Sequence, residues 1–273
     1  MPTMFRRAPL GALALVVTSV LACDSEQAPR VTLPVVVDSD GIVEFDSDLG
    51  YHIQITKLRV AFDNVEFTTG GEMHASLIRR VGQGLHDLVV PTAYAHPGHY
   101  AGGEVTGEMQ GRFVVDWLDD GASLGEAILL GGSYAGANFV FTRATADDGL
   151  EAGDPIIGHT IQIEGTATKD GTSFTFHGFV DEEDGKRVVG LPISEEVTEA
   201  QTDFEVDAST DVTLGLQVLM LDPFEPDTAL DGIDFAAADT DADGDVELVA
   251  GEAPYNLLVR QLQVHDQYRV SIR

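Results

Sequence analysis

The chain has 273 residues, and its hydrophobic share of 44% is ordinary for a globular protein. Its formal net charge of −31 excludes a nucleic-acid partner, because binding to phosphates requires a basic surface. Cys23 is the only cysteine, which excludes an internal disulfide and a cysteine-ligated zinc site. Such an acidic surface either is simply solvated or gathers cations.

Residues 1–22 have the composition of a secretory signal peptide. Arg6 and Arg7 give it a positive start, and residues 10–17 form an apolar run. This run is shorter than the stretch of about 20 residues that a membrane-spanning helix needs. The alternatives are an ordinary cleaved signal without lipid and an N-terminal anchor helix.

The end of this segment resembles the lipobox of bacterial lipoproteins, in which a small residue precedes an invariant cysteine. Ala22 and Cys23 occupy those two places. The resemblance implies cleavage before Cys23, lipidation of its thiol, and attachment to a membrane of the bacterial cell envelope on the periplasmic or outer side. Residues 23–30 would then be a tether between the lipid and the folded part. Acyl chains anchor such a protein because each buried methylene contributes about 0.8 kcal/mol.

Residues 31–225 predict β-strands almost throughout. Residues 31–37 are rich in β-branched side chains, and apolar residues alternate with polar ones at Tyr51, Ile53 and Ile55. Asp-Gly pairs separate several of the runs, and the Lys-Asp-Gly sequence at residues 169–171 predicts a tight hairpin. About nine strands with almost no helical periodicity predict a mainly β fold, an antiparallel β-sandwich.

Residues 226–273 predict a short helix–loop–helix insertion and a final strand. Leu230, Ile233 and Ala237 have helical spacing, and Pro254 is suited to the first turn of a second helix. Tyr268, Val270 and Ile272 then alternate as the last strand, which we expect to return to the sheet.

An acidic loop lies between the two predicted helices. Its five acidic residues are Asp239, Asp241, Asp243, Asp245 and Glu247. The spacing resembles the calcium loop of EF-hand and dockerin-type modules, with oxygen ligands at positions one, three and five. Gly244 occupies the sixth position, where the chain turns sharply, and Val246 occupies the apolar eighth. The resemblance implies that these acidic residues bind Ca²⁺.

The loop departs from that family at one ligand. The bidentate glutamate of the twelfth position is Ala250 here, so Glu247 or Glu252 would have to replace it. We therefore expect a modest affinity. The alternative is a solvated acidic turn, although carboxylates this close repel one another unless a cation lies among them.

A second candidate metal site is the sequence His-Pro-Gly-His at residues 96–99. A turn at Pro97 and Gly98 would bring His96 and His99 to one face. Neutral imidazole suits Zn²⁺, Cu²⁺ or Ni²⁺. The alternative is a polar loop with two solvated histidines.

Enzyme motifs give little support for catalysis. The sequence contains no phosphate-binding P-loop, no Rossmann glycine string and no zinc-protease HExxH motif. Ser133 lies in Gly-Gly-Ser-Tyr-Ala, which is one residue short of a nucleophile elbow, and a strand is predicted after it instead of a helix.

The sequence thus predicts a non-enzymatic envelope lipoprotein that binds calcium through its C-terminal loop, with the membrane and metal ions as partners. The alternative is a periplasmic transition-metal capture protein that uses His96 and His99. A hydrolase built on Ser133 is the third possibility. No protein partner can be named.

Overall fold

The structure is a computed structural model that describes residues 28–69, 104–182, 185–194, 203–222 and 227–273. In these ranges the chain is mainly β, which confirms the predicted fold class. The strands are β1 (Arg30–Val37), β2 (Phe45–Asp46), β3 (His52–Thr68), β4 (Val105–Asp116), β5 (Ser123–Leu130), β6 (Gly132–Tyr134), β7 (Gly136–Phe141), β8 (Ile161–Lys169), β9 (Thr172–Val180), β10 (Arg187–Ser194), β11 (Phe204–Val206), β12 (Leu214–Val218), β13 (Asp245–Leu248) and β14 (Tyr268–Ile272). Two α-helices are described, α1 (Phe235–Ala238) and α2 (Ala253–Leu262).

Eight of the strands form a sheet that closes on itself. They are paired in the order β3, β4, β5, β1, β12, β14, β10 and β7, and β7 pairs back with β3. The closure uses the second half of β3, where Phe62 lies opposite Phe141 and Thr68 lies opposite Gly136. The 17 residues of β3 leave its first half free for other neighbours. The final strand β14 joins this sheet, as the sequence predicts.

Most strand pairs are antiparallel, as expected, but the sheet is mixed. The pairs β1–β12, β10–β14 and β13–β9 are parallel. Each joins strands that are distant in sequence, so the local alternation of side chains contains no signal for them. The two-layer arrangement of a sandwich stays a prediction.

Aromatic side chains pack across the closed sheet. Phe62 lies 5.8 Å from Trp117 and 5.4 Å from Phe139 between ring centroids, and Phe139 lies 5.0 Å from Tyr268. Trp117 is fully buried, and its indole N–H donates to the carbonyl oxygen of Leu216 at 3.1 Å. Because a buried indole N–H costs free energy unless it is paired, this bond fixes the ring against β12.

A smaller extension grows from the first half of β3. Strands β8, β9 and β13 follow β3 in that order, and the hairpin predicted at residues 169–171 connects β8 to β9. Asp170 and Gly171 have φ values of 50° and 81°. Two consecutive positive φ values give the turn a twist that matches the strands, which is why Asp-Gly suits it.

The segment after residue 226 covers this extension. Helix α1 is four residues long and shorter than predicted, since Leu230 lies in a turn and Ile233 in irregular backbone before it. The strand β13, which the sequence analysis does not predict, takes up the last part of the acidic loop from Asp245 onward and precedes α2. Pro254 occupies the first turn of α2, as expected. No helix of the described ranges is long and apolar enough to cross a membrane.

Candidate metal site

The acidic loop begins where α1 ends, and an aromatic cluster holds α1 against the extension. Phe235, the first residue of α1, is fully buried. Its ring centroid lies 5.2 Å from that of Tyr51 and 5.1 Å from that of Phe176. Burial of a phenylalanine side chain contributes about 1.5–3 kcal/mol, so this contact fixes the helix to the sheet.

Asp234 caps α1 and connects it to β3. Its carboxylate accepts a hydrogen bond from the backbone N–H of Ala237, and its Oδ1 accepts one from the Tyr51 hydroxyl at 2.6 Å. The bond from Tyr51 lowers the pKa of Asp234, while burial raises the pKa of Tyr51. The helix that precedes the loop is therefore fixed by both apolar and polar contacts.

Three of the predicted ligands come together in the loop. Asp239, Asp241 and Asp243 each offer a carboxylate oxygen, and these atoms all lie within 4.8 Å of one another. Asp239 is half-buried, and the other two are exposed. At such distances two carboxylates repel each other by about 1 kcal/mol even in water, so a cation among them would be stabilising. The cluster could hold a metal ion.

Backbone hydrogen bonds shape the loop around Asp239. Its Oδ1 accepts from the N–H of Asp243 and its Oδ2 from the N–H of Gly244, both at 3.1 Å. Gly244 has a φ of 84°, a left-handed conformation that glycine adopts at little cost. The sharp turn predicted at the sixth loop position is present.

The remaining two predicted ligands do not belong to this cluster. Asp245 begins β13, and its Oδ1 accepts from the Thr175 hydroxyl at 2.5 Å and lies 3.4 Å from Nδ1 of His177. Glu247 is exposed on the same strand, opposite His177 of β9. In an EF-hand loop the seventh position ligates through its backbone carbonyl, so the side chain of Asp245 is not required in the shell.

The donors that the triplet offers fit a hard cation. Carboxylate oxygens suit Mg²⁺, Ca²⁺ and Mn²⁺ better than softer metals, and no histidine or cysteine belongs to the cluster. Glu252, the other candidate for the twelfth-position ligand, occupies the N-cap of α2. The described triplet can therefore supply three carboxylates, with the rest of a shell left to backbone oxygens and water.

Other predicted sites have different outcomes. Cys23, His96 and His99 lie outside the described residues, so lipidation and the transition-metal site stay predictions. Ser133 lies in β6, opposite Glu205 of β11, and the strand β7 follows it, as expected. Since a nucleophile elbow needs a helix there, the local structure gives Ser133 no such geometry.

His177 is a residue whose surroundings the sequence does not reveal. It belongs to no motif in the sequence, yet the parallel pairing of β13 with β9 places it beside Asp245. Only the tertiary structure shows this contact.

No protein-family model, curated protein or solved structure significantly matches the chain.

Proposed function

We propose that this chain is a non-enzymatic lipoprotein of the bacterial cell envelope that binds calcium through the loop at residues 239–247. The observation that supports calcium binding is the convergence of Asp239, Asp241 and Asp243 within 4.8 Å. The lipobox-like end at Cys23 supports the anchor. The net charge of −31 is consistent with a surface that attracts divalent cations.

Calcium is the preferred ion because of the geometry it accepts. It takes six to eight oxygen ligands in a flexible arrangement, whereas Mg²⁺ demands a small octahedral shell and keeps several waters. A loop with three converging carboxylates and no bidentate glutamate at position twelve leaves an irregular shell. Such a shell favours Ca²⁺ over Mg²⁺ and gives a modest affinity.

Thermal unfolding with and without calcium tests the proposal. A cation that binds only the folded state stabilises it by RT ln(1 + [L]/Kd), about 2.7 kcal/mol at a hundredfold excess over Kd. For a chain of this size, millimolar calcium added to chelated protein should raise the melting temperature by about 5–10 °C. Magnesium should raise it less.

The informative variant is Asp241→Asn combined with Asp243→Asn. Asparagine keeps an oxygen that can accept the Asp245 N–H, which Asp243 accepts at 2.9 Å, but it removes the charge. The calcium-dependent rise should largely disappear, and in chelator the variant should melt above wild type because repulsion is relieved.

The matched control is Asp147→Asn combined with Asp211→Asn, at two exposed positions outside the loop. It should retain the full calcium response. If calcium leaves the wild-type melt unchanged, or stabilises the loop variant as much as wild type, the loop is only a solvated acidic turn.

A further inference from the structure

A depression of about 430 Å³ lies on the outer face of the extension, beside the acidic loop. The polar side chains that line it are Thr56, Glu164, Thr166, Thr175, His177 and Asp245. We infer that this depression binds a neutral, hydroxyl-rich small ligand such as a sugar unit. The inference does not depend on calcium binding.

Two backbone features shape the depression. The register between β3 and β8 shifts between Ile55 and Lys57, so Thr56 is the extra residue of a β-bulge. Bulges re-aim side chains and are common beside functional sites. Here the bulge directs two consecutive residues, Thr56 and Lys57, to the outer face, while Ile55 and Leu58 are buried.

Gly165 forms the floor below these side chains. A Cβ at this position would clash with the ring of Phe176 and would lie 2.6 Å from the carbonyl oxygen of Gln54. The neighbouring backbone and the Phe176 ring therefore approach closely under the floor. Residue 165 faces the inner side of β8, where Phe176 is buried, whereas its neighbours Glu164 and Thr166 face the outer side and stand above the floor.

The walls offer both hydrogen-bond donors and acceptors. The carboxylates of Glu164 and Asp245 accept, and the hydroxyls of Thr56 and Thr166 can do both. Neither of these two hydroxyls has a hydrogen-bond partner among the described residues. A sugar hydroxyl has the same double capacity, so it can donate to a carboxylate and accept from a threonine or from His177.

The charges of the walls argue against other small ligands. Two carboxylates repel an anion such as phosphate. Glu164 already lies 3.2 Å from the ammonium of Lys57, and His177 lies beside Asp245, so a free cation is not strongly favoured either. In the described parts of the chain, the compact metal-ligand cluster is the triplet, not this group. The volume lies within the range of about 300–1,000 Å³ that is usual for small-molecule sites.

NMR titration of the isotopically labelled protein tests the inference. Glucose, galactose and N-acetylglucosamine are added at millimolar concentrations, once with calcium and once in chelator. We expect at least one of them to shift the amide signals of Thr166 and Thr175 and the imidazole signals of His177. Binding in either buffer supports the site, so a failed calcium proposal would not affect the result.

Hydroxyl removal then assigns the binding to these side chains. Thr56→Val combined with Thr166→Val keeps the β-branched shape and should weaken the sugar about threefold to tenfold for each hydrogen bond lost. Thr32→Val, at an exposed position of β1 away from the depression, should bind as wild type does.

Two results would overturn the inference. The first is that none of the three sugars shifts these signals in either buffer, whether or not inorganic phosphate or methylammonium does. The second is that the double valine variant binds as tightly as wild type.

Discussion

The hydroxyl of Tyr51 donates a 2.6 Å hydrogen bond to Oδ1 of Asp234, a residue 183 positions later in the chain. The same hydroxyl oxygen accepts from the backbone N–H of Ala236 at 3.0 Å. One phenol thus joins the residue before β3 to the cap and first turn of α1. Since Asp239 directly follows α1, this pair of bonds fixes the start of the acidic loop relative to the sheet.

Removing this hydroxyl should weaken both the fold and the loop. Tyr51→Phe keeps the ring contacts with Phe174 and Phe235 but removes the hydroxyl donor to Asp234, whose carboxylate keeps only the backbone N–H of Ala237. We expect the free energy of unfolding in urea to fall by about 1–2 kcal/mol at neutral pH. The calcium affinity, measured by titration calorimetry, should fall as well because the loop loses its anchor.

The pH dependence of this difference is a sharper test. The bond lowers the pKa of Asp234, so its contribution is present above the unfolded pKa and is lost as the pH falls through the folded pKa. The gap between wild type and Tyr51→Phe should therefore narrow below about pH 4. Equal stability of the two proteins at neutral pH would contradict the prediction.

Local patterns in the sequence predict the local structure well. The Lys-Asp-Gly hairpin at residues 169–171 and the strand β14 can be predicted from the sequence, because turn chemistry and side-chain alternation act over a few residues. The convergence of Asp239, Asp241 and Asp243 can be predicted for the same reason, since a glycine turn and backbone hydrogen bonds within the loop produce it.

Pairing between strands that are far apart in the sequence could not be predicted. Nothing in β7 indicates that it pairs with β3, and the short strand β13 forms only because β9 offers an edge to it. The depression depends on the second of these pairings, which places Asp245 beside His177. One feature of the depression is visible in the sequence. Tyr51, Ile53 and Ile55 alternate with polar residues, and the next buried residue, Leu58, follows three positions after Ile55. That slip in period marks the bulge at Thr56.

The proposed lipid anchor can be tested at the sulfur atom of Cys23. Only the thiol of Cys23 can form the thioether to lipid, because the chain has no other cysteine. Cys23→Ser should move the protein from the membrane fraction to the soluble or unprocessed fraction, as seen by fractionation and by the mass of the intact chain. If the serine variant still matures and sediments with membranes, the lipobox interpretation is wrong.

Glu182 provides a prediction about pH and stability. Its side chain is buried, at 2% exposure, and both carboxylate oxygens accept from Nε2 of Gln263, at 3.0 and 2.8 Å. Lys186 lies 3.8 Å away. Burial nevertheless raises the pKa of Glu182. A raised acid pKa gives stability that is present below the unfolded pKa and is lost as the pH rises through the folded pKa.

Glu182→Gln removes this titration and keeps the size of the side chain. We expect the variant to gain stability relative to wild type as the pH rises from about 4 to about 7, by about 1.4 kcal/mol for each unit of difference between the folded and unfolded pKa values. Urea unfolding at a series of pH values measures it. Gln263→Leu should make the wild-type pH dependence steeper, because its hydrogen bonds stabilise the ionised carboxylate. The gain in unfolding free energy of Glu182→Gln over wild type could instead stay constant with pH or shrink as the pH rises. Either result would show that burial does not determine the pKa of Glu182.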